Sequence, residues 1–439
     1  MRIDDWLSCG AGLLGALRTQ WRDEAWWRRY QNCALATQLA FAGVRVPFYR
    51  KLFAQYRIDP IRIRSTDDLS RLPILSREQI QRNPLGFLDR SAPQEHWRSS
   101  RTSGSMGRPL VTWFDPWCWR QVKYTLKMRR LLAWGWRPGQ RIVIVDDVES
   151  KRVREHTAHL FLPGEQWLRW RDYVSVFEHP QEHLEQYVRF QPHYLYGFPS
   201  YFLELAGVWH EWVRRRIPLR GLMTSSERME ARTRSYLELI FGVRVLDVYG
   251  LTEFKEIAWQ CPVGPGYHIN MDSVVIEVIN EHGRPVAPGE RGEVIVTSLT
   301  NRAMPLIRYA TGDLAVRLGG HCSCGRGLER LDRIEGRIAD YVPIPQLGRL
   351  SPYELTTAIE TCQDVLQFKV VQPSPDLLDV RTVLRPGAST QTLTTLQKTL
   401  HARIQGKIKI IVSRVNSIPR TSSGKHQPVE VQLKQDVTR

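Results

Sequence analysis

Val243-Arg244-Val245-Leu246-Asp247-Val248 runs directly into Tyr249-Gly250-Leu251-Thr252-Glu253. The first six residues are rich in β-branched and apolar types and read as a strand. The next five bring a glycine, a hydroxyl and a carboxylate, which is the chemistry of a polar turn leaving that strand. Upstream, 120–133, 180–190 and 201–215 read as helices, and 141–145 reads as a short buried strand. Helices alternating with strands argue for an α/β architecture. Residues 1–60 read as helical and rich in Trp and Arg, with Trp21, Ala25, Arg28 and Arg29 at helical spacing. Pro47-Phe48-Tyr49 breaks that pattern. Residues 67–82 read as a loop entering another helix, and 110–114 as extended chain. Downstream the texture changes to short strands at 274–279 and 292–298, joined by a turn at 280–290. The C-terminal segment reads as a small α+β unit, with strands at 367–372, 379–384 and 407–415 and a helix at 390–404.

The chain has 439 residues, of which 42% are hydrophobic and 24% charged, so a disordered or fibrous chain is excluded. Lys and Arg number 62 against 45 Asp and Glu, a net charge of +17. That charge suits an anionic partner such as a nucleotide, nucleic acid or acidic lipid. Its basic residues are scattered, with no run of five, and no nucleic-acid-binding signature is present, so nucleic acid is not the expected partner. No stretch reaches the ~18 unbroken apolar residues of a membrane helix, and the start Met1-Arg2-Ile3-Asp4-Asp5 lacks a signal-peptide pattern. The expectation is a cytoplasmic protein. Seven scattered Cys argue against a disulfide framework.

Three further stretches carry chemistry. Arg101-Thr102-Ser103-Gly104-Ser105-Met106-Gly107-Arg108-Pro109 combines glycines, hydroxyls and a cation, which suits an anion held close to the backbone. It does not match the Walker pattern. Pro305-Leu306-Ile307-Arg308-Tyr309-Ala310-Thr311-Gly312-Asp313-Leu314 follows a strand. Pro419-Arg420-Thr421-Ser422-Ser423-Gly424-Lys425 lies near the C-terminus, and Gly336-Arg337 sits where the texture changes. Cys261, His268, Cys322 and Cys324 make a Cys₃His set that suits tetrahedral Zn²⁺ in a closed structural site, with His321 as a competing ligand. Cys9, Cys33, Cys118 and Cys362 are isolated and read as packing residues.

The ordered set of motifs resembles the adenylate-forming enzymes: acyl- and aryl-coenzyme A ligases, adenylation domains and luciferases. Within them it is most similar to the phenylacetate–coenzyme A ligase-like branch, which includes capsular-polysaccharide-type members. Pro47-Phe48-Tyr49, Leu72-Pro73-Ile74-Leu75, the Ser-Gly-Ser loop and the stretch from Met304 to Leu314 carry that closer likeness. The resemblance implies a large α/β adenylation domain over residues 1–337 and a small mobile α+β cap over 338–439. It also implies that a carboxylate attacks the α-phosphorus of ATP, giving acyl-adenylate and pyrophosphate, after which a thiol displaces AMP. Coenzyme A is the expected co-substrate, and a carrier-protein phosphopantetheine or an amine is the alternative. A non-catalytic polyanion-binding member of the fold is a further alternative, and a homodimer stays open.

Residue by residue, the resemblance assigns the phosphates of ATP to Thr102, Ser103, Gly104, Ser105, Gly107 and Arg108. Ser226 and Glu227 would pack against adenine, Tyr249 would stack on the base, and Asp313 would accept from both ribose hydroxyls. Arg337 would contact ribose or phosphate, Thr252 the α-phosphate, and Glu253 would help ligate Mg²⁺. Lys425 would bridge the acid and the α-phosphate, where negative charge develops. The acid pocket would involve Tyr196, Phe198 and Gly250, in keeping with an aryl or other apolar acid. Two departures stand out. Only Asp340 follows Gly336-Arg337 where the family usually carries an acidic pair, and 341–348 is Pro-rich without the usual Gly-x-Asn. Both bear on the thiol-accepting half-reaction more than on adenylation.

Overall fold

The computed structural model describes residues 3–102, 109–149, 170–338, 341–385, 387–389 and 391–433. They gather into two compact units, each built from two stretches of chain: Met1–Pro138 with Leu246–Ile334, and Gly139–Val245 with Glu335–Arg439.

The first unit opens with helices Ile3–Thr19, Glu24–Arg45 and Pro47–Gln55. Asp23 starts the second helix by accepting the Trp26 N–H at 2.7 Å. Trp27, Gln31, Leu35, Gln38, Leu39 and Ala42 recur every three or four positions and form its buried face. The two glutamines there are satisfied by donating to the Val274 and Asn301 carbonyls, at 2.9 and 2.7 Å. Pro47-Phe48-Tyr49 does more than break a helix: Pro47 opens the next one, where a missing N–H costs nothing. Cys33 is exposed, which corrects its reading as a packing residue, whereas Cys118 and Cys362 are buried.

The strands of this unit run in the order Val274–Ile279, Arg291–Ser298, Tyr309–Leu318, Arg330–Arg337, Tyr267–Ile269, Lys255–Gln260, Arg244–Leu251. Antiparallel ladders join Val274–Ile279 to Arg291–Ser298 and Lys255–Gln260 to Arg244–Leu251. A charged pair sits against this sheet. Helix Leu126–Ala133 buries Arg130, whose Nε and Nη2 reach the two Glu256 oxygens at 3.0 and 2.8 Å. The Trp134 ring lies 4.4 Å from the same guanidinium. Burial tends to raise the Glu256 carboxyl, but Arg130 more than offsets it and the net shift is downward. Glu256→Ala would strand a buried cation and is expected to cost about 3 kcal/mol in urea unfolding. The pair's contribution is complete above the ordinary glutamate range and fades as pH falls through the lowered folded value.

In the second unit, four parallel strands lie in the order Arg171–Ser175, Ile142–Asp146, Tyr194–Gly197, Gly221–Ser225. Helices Leu184–Phe190, Pro199–Val208 and Ala231–Phe241 pack apolar residues against them, including Tyr187, Phe202, Leu205 and Leu237. The helix expected over 201–215 is interrupted. Trp209 leaves helical geometry at φ −81°, ψ 75° and is buried beside Phe241, with ring centroids 4.9 Å apart. Gly207 weakens the last turn before the break, and the Trp209 ring packs outside helical geometry there.

The rest of this unit, from Val342 to Val429, holds a hydrophobic core of its own, with Leu355, Ile359, Leu378, Val380, Leu396 and Leu400 fully buried. A four-stranded sheet in the order Lys409–Arg414, Leu377–Leu384, Val365–Ser374, Val429–Val431 carries helices Pro352–Glu360 and Gln391–Arg403. The compact units therefore do not divide at 337/338, although the segment after Gly336 packs around its own centre. The Pro-rich stretch forms a hairpin, pairing Val342–Ile344 with Gly348–Leu350. Among the described residues no helix is long and apolar enough to cross a membrane.

Candidate active site

Three of the motifs turn out to be one structure. Arg308 is buried, takes φ +51°, and forks onto Glu277 at 3.1 and 3.0 Å. Its Nη1 donates to the Leu72 carbonyl, and its backbone carbonyl accepts the Leu75 N–H at 2.8 Å. The Tyr49 hydroxyl donates to the Pro305 carbonyl at 3.0 Å and accepts the Ile307 N–H at 2.9 Å. The segments around Tyr49, Leu72–Leu75 and Pro305–Arg308 thus hold each other, which is a structural duty.

What they hold in place is polar. Glu253 is buried in the turn after strand Arg244–Leu251. Its Oε1 accepts the Tyr309 hydroxyl at 3.0 Å and faces Arg77 Nη1 at 3.4 Å. Arg77 Nη2 donates to the Thr102 hydroxyl at 2.8 Å. That hydroxyl accepts the Leu110 N–H at 2.8 Å, while the Thr102 N–H donates to the Leu110 carbonyl at 2.9 Å. Thr102 therefore closes the neck of the glycine-rich loop. Ser103, Gly104, Ser105, Gly107 and Arg108 lie outside the described residues. Burial, with Glu253 adding, pushes the Tyr309 phenol far above its ordinary value, so it stays a donor.

Asp313 is buried and accepts the Tyr249 hydroxyl on Oδ2 at 2.8 Å. Its N–H donates to the Thr311 hydroxyl at 3.0 Å. Thr252 is half-buried in the same turn as Glu253. Gly250 stands at a register shift in the ladder, and a Cβ there would lie 2.6 Å from the Lys255 carbonyl oxygen. Only glycine fits, because two backbones approach each other at that point. Arg77 and Tyr309 were not among the expected site residues. Tyr309 stands inside the 305–314 stretch without an assigned role, and nothing local marks Arg77, which meets Glu253 across 176 positions.

The second unit places the remaining residues. Tyr196 is half-buried on strand Tyr194–Gly197, and its hydroxyl pairs with Ser225 Oγ at 2.7 Å. Phe198 is buried in the apolar core of this unit. Ser226 is exposed with φ +73°, a conformation rare outside glycine and asparagine. Arg337 is half-buried after Gly336, whose φ is +110°. Asp340 lies outside the described residues. Lys425 sits on a closed turn, in which the Thr421 N–H donates to the Lys425 carbonyl at 2.8 Å and the Lys425 N–H donates to the Thr421 hydroxyl at 3.2 Å.

In the first unit, one Sγ or ring nitrogen from each of Cys261, His268, Cys322 and Cys324 falls within 4.8 Å of every other. Cys261 and Cys322 sulfurs are 3.6 Å apart, and Cys324 Sγ is 3.2 Å from His268 Nε2. The Gly264 and Val263 N–H groups point at Cys261 Sγ, at 3.2 and 3.4 Å. Burial drives His268 down to about 3, so its ring is neutral and able to ligate. His321 is exposed and is not one of the four.

Residues 345–431 match the CapK C-terminal domain. The phenylacetate–coenzyme A ligase of Thermus thermophilus is 29% identical over 336 residues, 72% of each chain. That of Escherichia coli K12 is also 29% identical, over 340 residues and 72% of each chain. Among solved structures, 2-hydroxyisobutyryl-CoA ligase in the postadenylation state superposes with a TM-score of 0.79 at 22% identity, covering 96% of this chain and 92% of that one. These likenesses are to coenzyme A ligases, and the superposition shows that the chain shares their fold. In sequence it is similar to phenylacetate–coenzyme A ligases over 72% of its length, and its C-terminal segment matches the CapK C-terminal domain.

Proposed function

We propose that this protein couples ATP to a carboxylic acid, forming an acyl-adenylate and pyrophosphate, and then passes the acyl group to coenzyme A. The observation that carries this reading is the Glu253–Arg77–Thr102 chain, which ties a buried carboxylate to the neck of a glycine-rich loop. The loop residues Ser103, Gly104, Ser105, Gly107 and Arg108, with Thr102, receive the β- and γ-phosphates. Asp313 takes the ribose hydroxyls, Tyr249 the base, and Ser226 and Glu227 border the adenine. Thr252 donates to the α-phosphate, Arg337 contacts ribose or phosphate, and Lys425 neutralises the charge that builds on the α-phosphate. Tyr196, Phe198 and Gly250 border the acid, an aryl or other apolar one. Residues 1–337 act as the adenylation domain and 338–439 as the cap, in a cytoplasmic enzyme.

Both described contacts to Glu253 fall on Oε1, so Oε2 suits a hard cation. Glu253 would hold Mg²⁺, which screens the phosphates when bound. Cys261, His268, Cys322 and Cys324 would hold a structural Zn²⁺, a fit supported by the converging donors and the N–H groups aimed at sulfur.

The hairpin at 342–350 replaces the usual acceptor-side pattern and keeps a second acceptor, a carrier thiol or an amine, in view. ATP–pyrophosphate exchange against aryl, aminoaryl and fatty acids tests the first half. Exchange with one acid, followed by AMP release that coenzyme A accelerates, is the expected result. Acceleration by an amine instead would redirect the second half, and no exchange with any acid would overturn the reading.

A further inference from the structure

The loop that carries Lys425 is seated on its own unit by three separate contacts. Glu227 Oε1 accepts the N–H of His426, the residue next to Lys425. The same carboxylate takes the Ser200 hydroxyl and the Ser200 N–H, each at 2.9 Å, at the first turn of helix Pro199–Val208. On the other side of Lys425, Arg420 donates to Ser200 Oγ, to Glu204 Oε1 at 2.6 Å and back to the Gly424 carbonyl at 3.3 Å. Gly424 itself has φ +76°, and a Cβ there would lie 2.4 Å from Val176 Cγ1, so this position presses against Val176. Residues 420, 424 and 426 are thus all gripped, while the turn between them is closed by Thr421.

We infer that Glu227 is a positioning residue: its carboxylate docks the Lys425 loop and so sets where the lysine ammonium stands during adenylation. The inference rests on the proposed reaction and deepens it. Ser226 supports it. A non-glycine residue held at φ +73° directly before Glu227 turns the chain at the end of strand Gly221–Ser225, and strain of this kind is kept where geometry matters. The backbone of 226–227 can border a base while the Glu227 side chain serves the loop. A carboxylate accepting several N–H and O–H donors is a strong, directional anchor. Replacing it with a short apolar side chain leaves the His426 and Ser200 N–H groups short of an acceptor.

Two measurements on the full chain test this. First, trypsin nicking after Lys425 is followed by mass spectrometry in the wild type, Glu227→Gln and Glu227→Ala. Cleavage requires local opening of the loop, so the expected result is at least ~10-fold faster nicking in Glu227→Ala, with Gln in between because it keeps one acceptor oxygen. Equal nicking in folded variants would overturn the docking. Should Glu227→Ala fail to fold, the near-isosteric Gln variant carries the comparison. Second, pyrophosphate exchange is measured with the acid that the wild type accepts. Glu227→Ala should lower the turnover of exchange more than it raises the KM for ATP. The double variant with Lys425→Ala should be no slower than Lys425→Ala alone, because the carboxylate acts through the lysine. Multiplying losses would overturn that route. Absence of exchange in the wild type would sink the proposed reaction and the positioning role with it, while nicking would still report on the docking itself.

Discussion

Lys425→Ala is expected to slow ATP–pyrophosphate exchange at least ~10²-fold while leaving the protein folded. The loss follows from charge. Attack of a carboxylate on the α-phosphorus brings two anions together, and a preorganised cation offsets the repulsion more in the transition state than before it. The preserved fold follows from how the loop is built. The turn from Thr421 to Lys425 uses the lysine's N–H and carbonyl, which alanine keeps. Its anchors are Arg420, Gly424 and His426, which the substitution does not touch. The measurement is exchange rate beside a thermal melt. Near-wild-type exchange would refute the role of Lys425, and a collapsed melt would show that the loop is structural.

The second large effect concerns the cysteine cluster. Purified protein is expected to hold one zinc per chain, and a strong chelator or Cys322→Ser should lower its stability by about 3 kcal/mol or more. Apparent binding energies of structural zinc sites are of the same order as the whole stability of a domain. Here the expected loss is partial, because strands Tyr267–Ile269 and Lys255–Gln260 are joined by backbone hydrogen bonds, and Trp259 and Ile257 are held by packing, independently of the four side chains. What goes is the staple between the turn carrying Cys261 and the turn carrying Cys322 and Cys324, which lie some sixty positions apart along the chain. Less than ~0.2 zinc per chain, with unchanged melting after chelation, would remove the site.

The architecture was readable to a useful degree, and the reasons differ by region. The strand before Tyr249, the strands at 274–279 and 291–298 and the α+β character of the C-terminal segment all announce themselves by residue type and periodicity. The interrupted helix at Trp209 did not, because a single Gly207 does not fix where a helix stops, and the break falls where the Trp209 ring packs against Phe241 from another helix. Pro47 was readable as a break but not as a start, since the same residue ends one helix pattern and suits the first turn of another.

The candidate site divides in the same way. Glu253, Asp313, Tyr249 and Lys425 stand in short motifs whose residue types suit their chemistry, and the four zinc-type ligands are visible as a set of soft donors. Arg77, Ser200 and Glu204 carry no local signal, and Tyr309 lies in a motif that does not reveal its role. Each matters through partners distant along the chain: Arg77 and Tyr309 through Glu253, Ser200 through Glu227 and Arg420, and Glu204 through Arg420.

By itself, then, the sequence determined most of the elements and which side chains have the right chemistry, because helix and strand periodicity and the donor types of a motif are local properties. Only the tertiary structure decided how those side chains are used. It gave Tyr49, Leu72 and Arg308 a packing duty, made Gly250 obligatory beside Lys255, and turned the Glu227 carboxylate toward the backbone of His426. The physical reason is that a hydrogen bond a few ångströms long can join residues hundreds of positions apart. Which donor meets which acceptor is settled only when the chain closes and every buried polar group must find a partner.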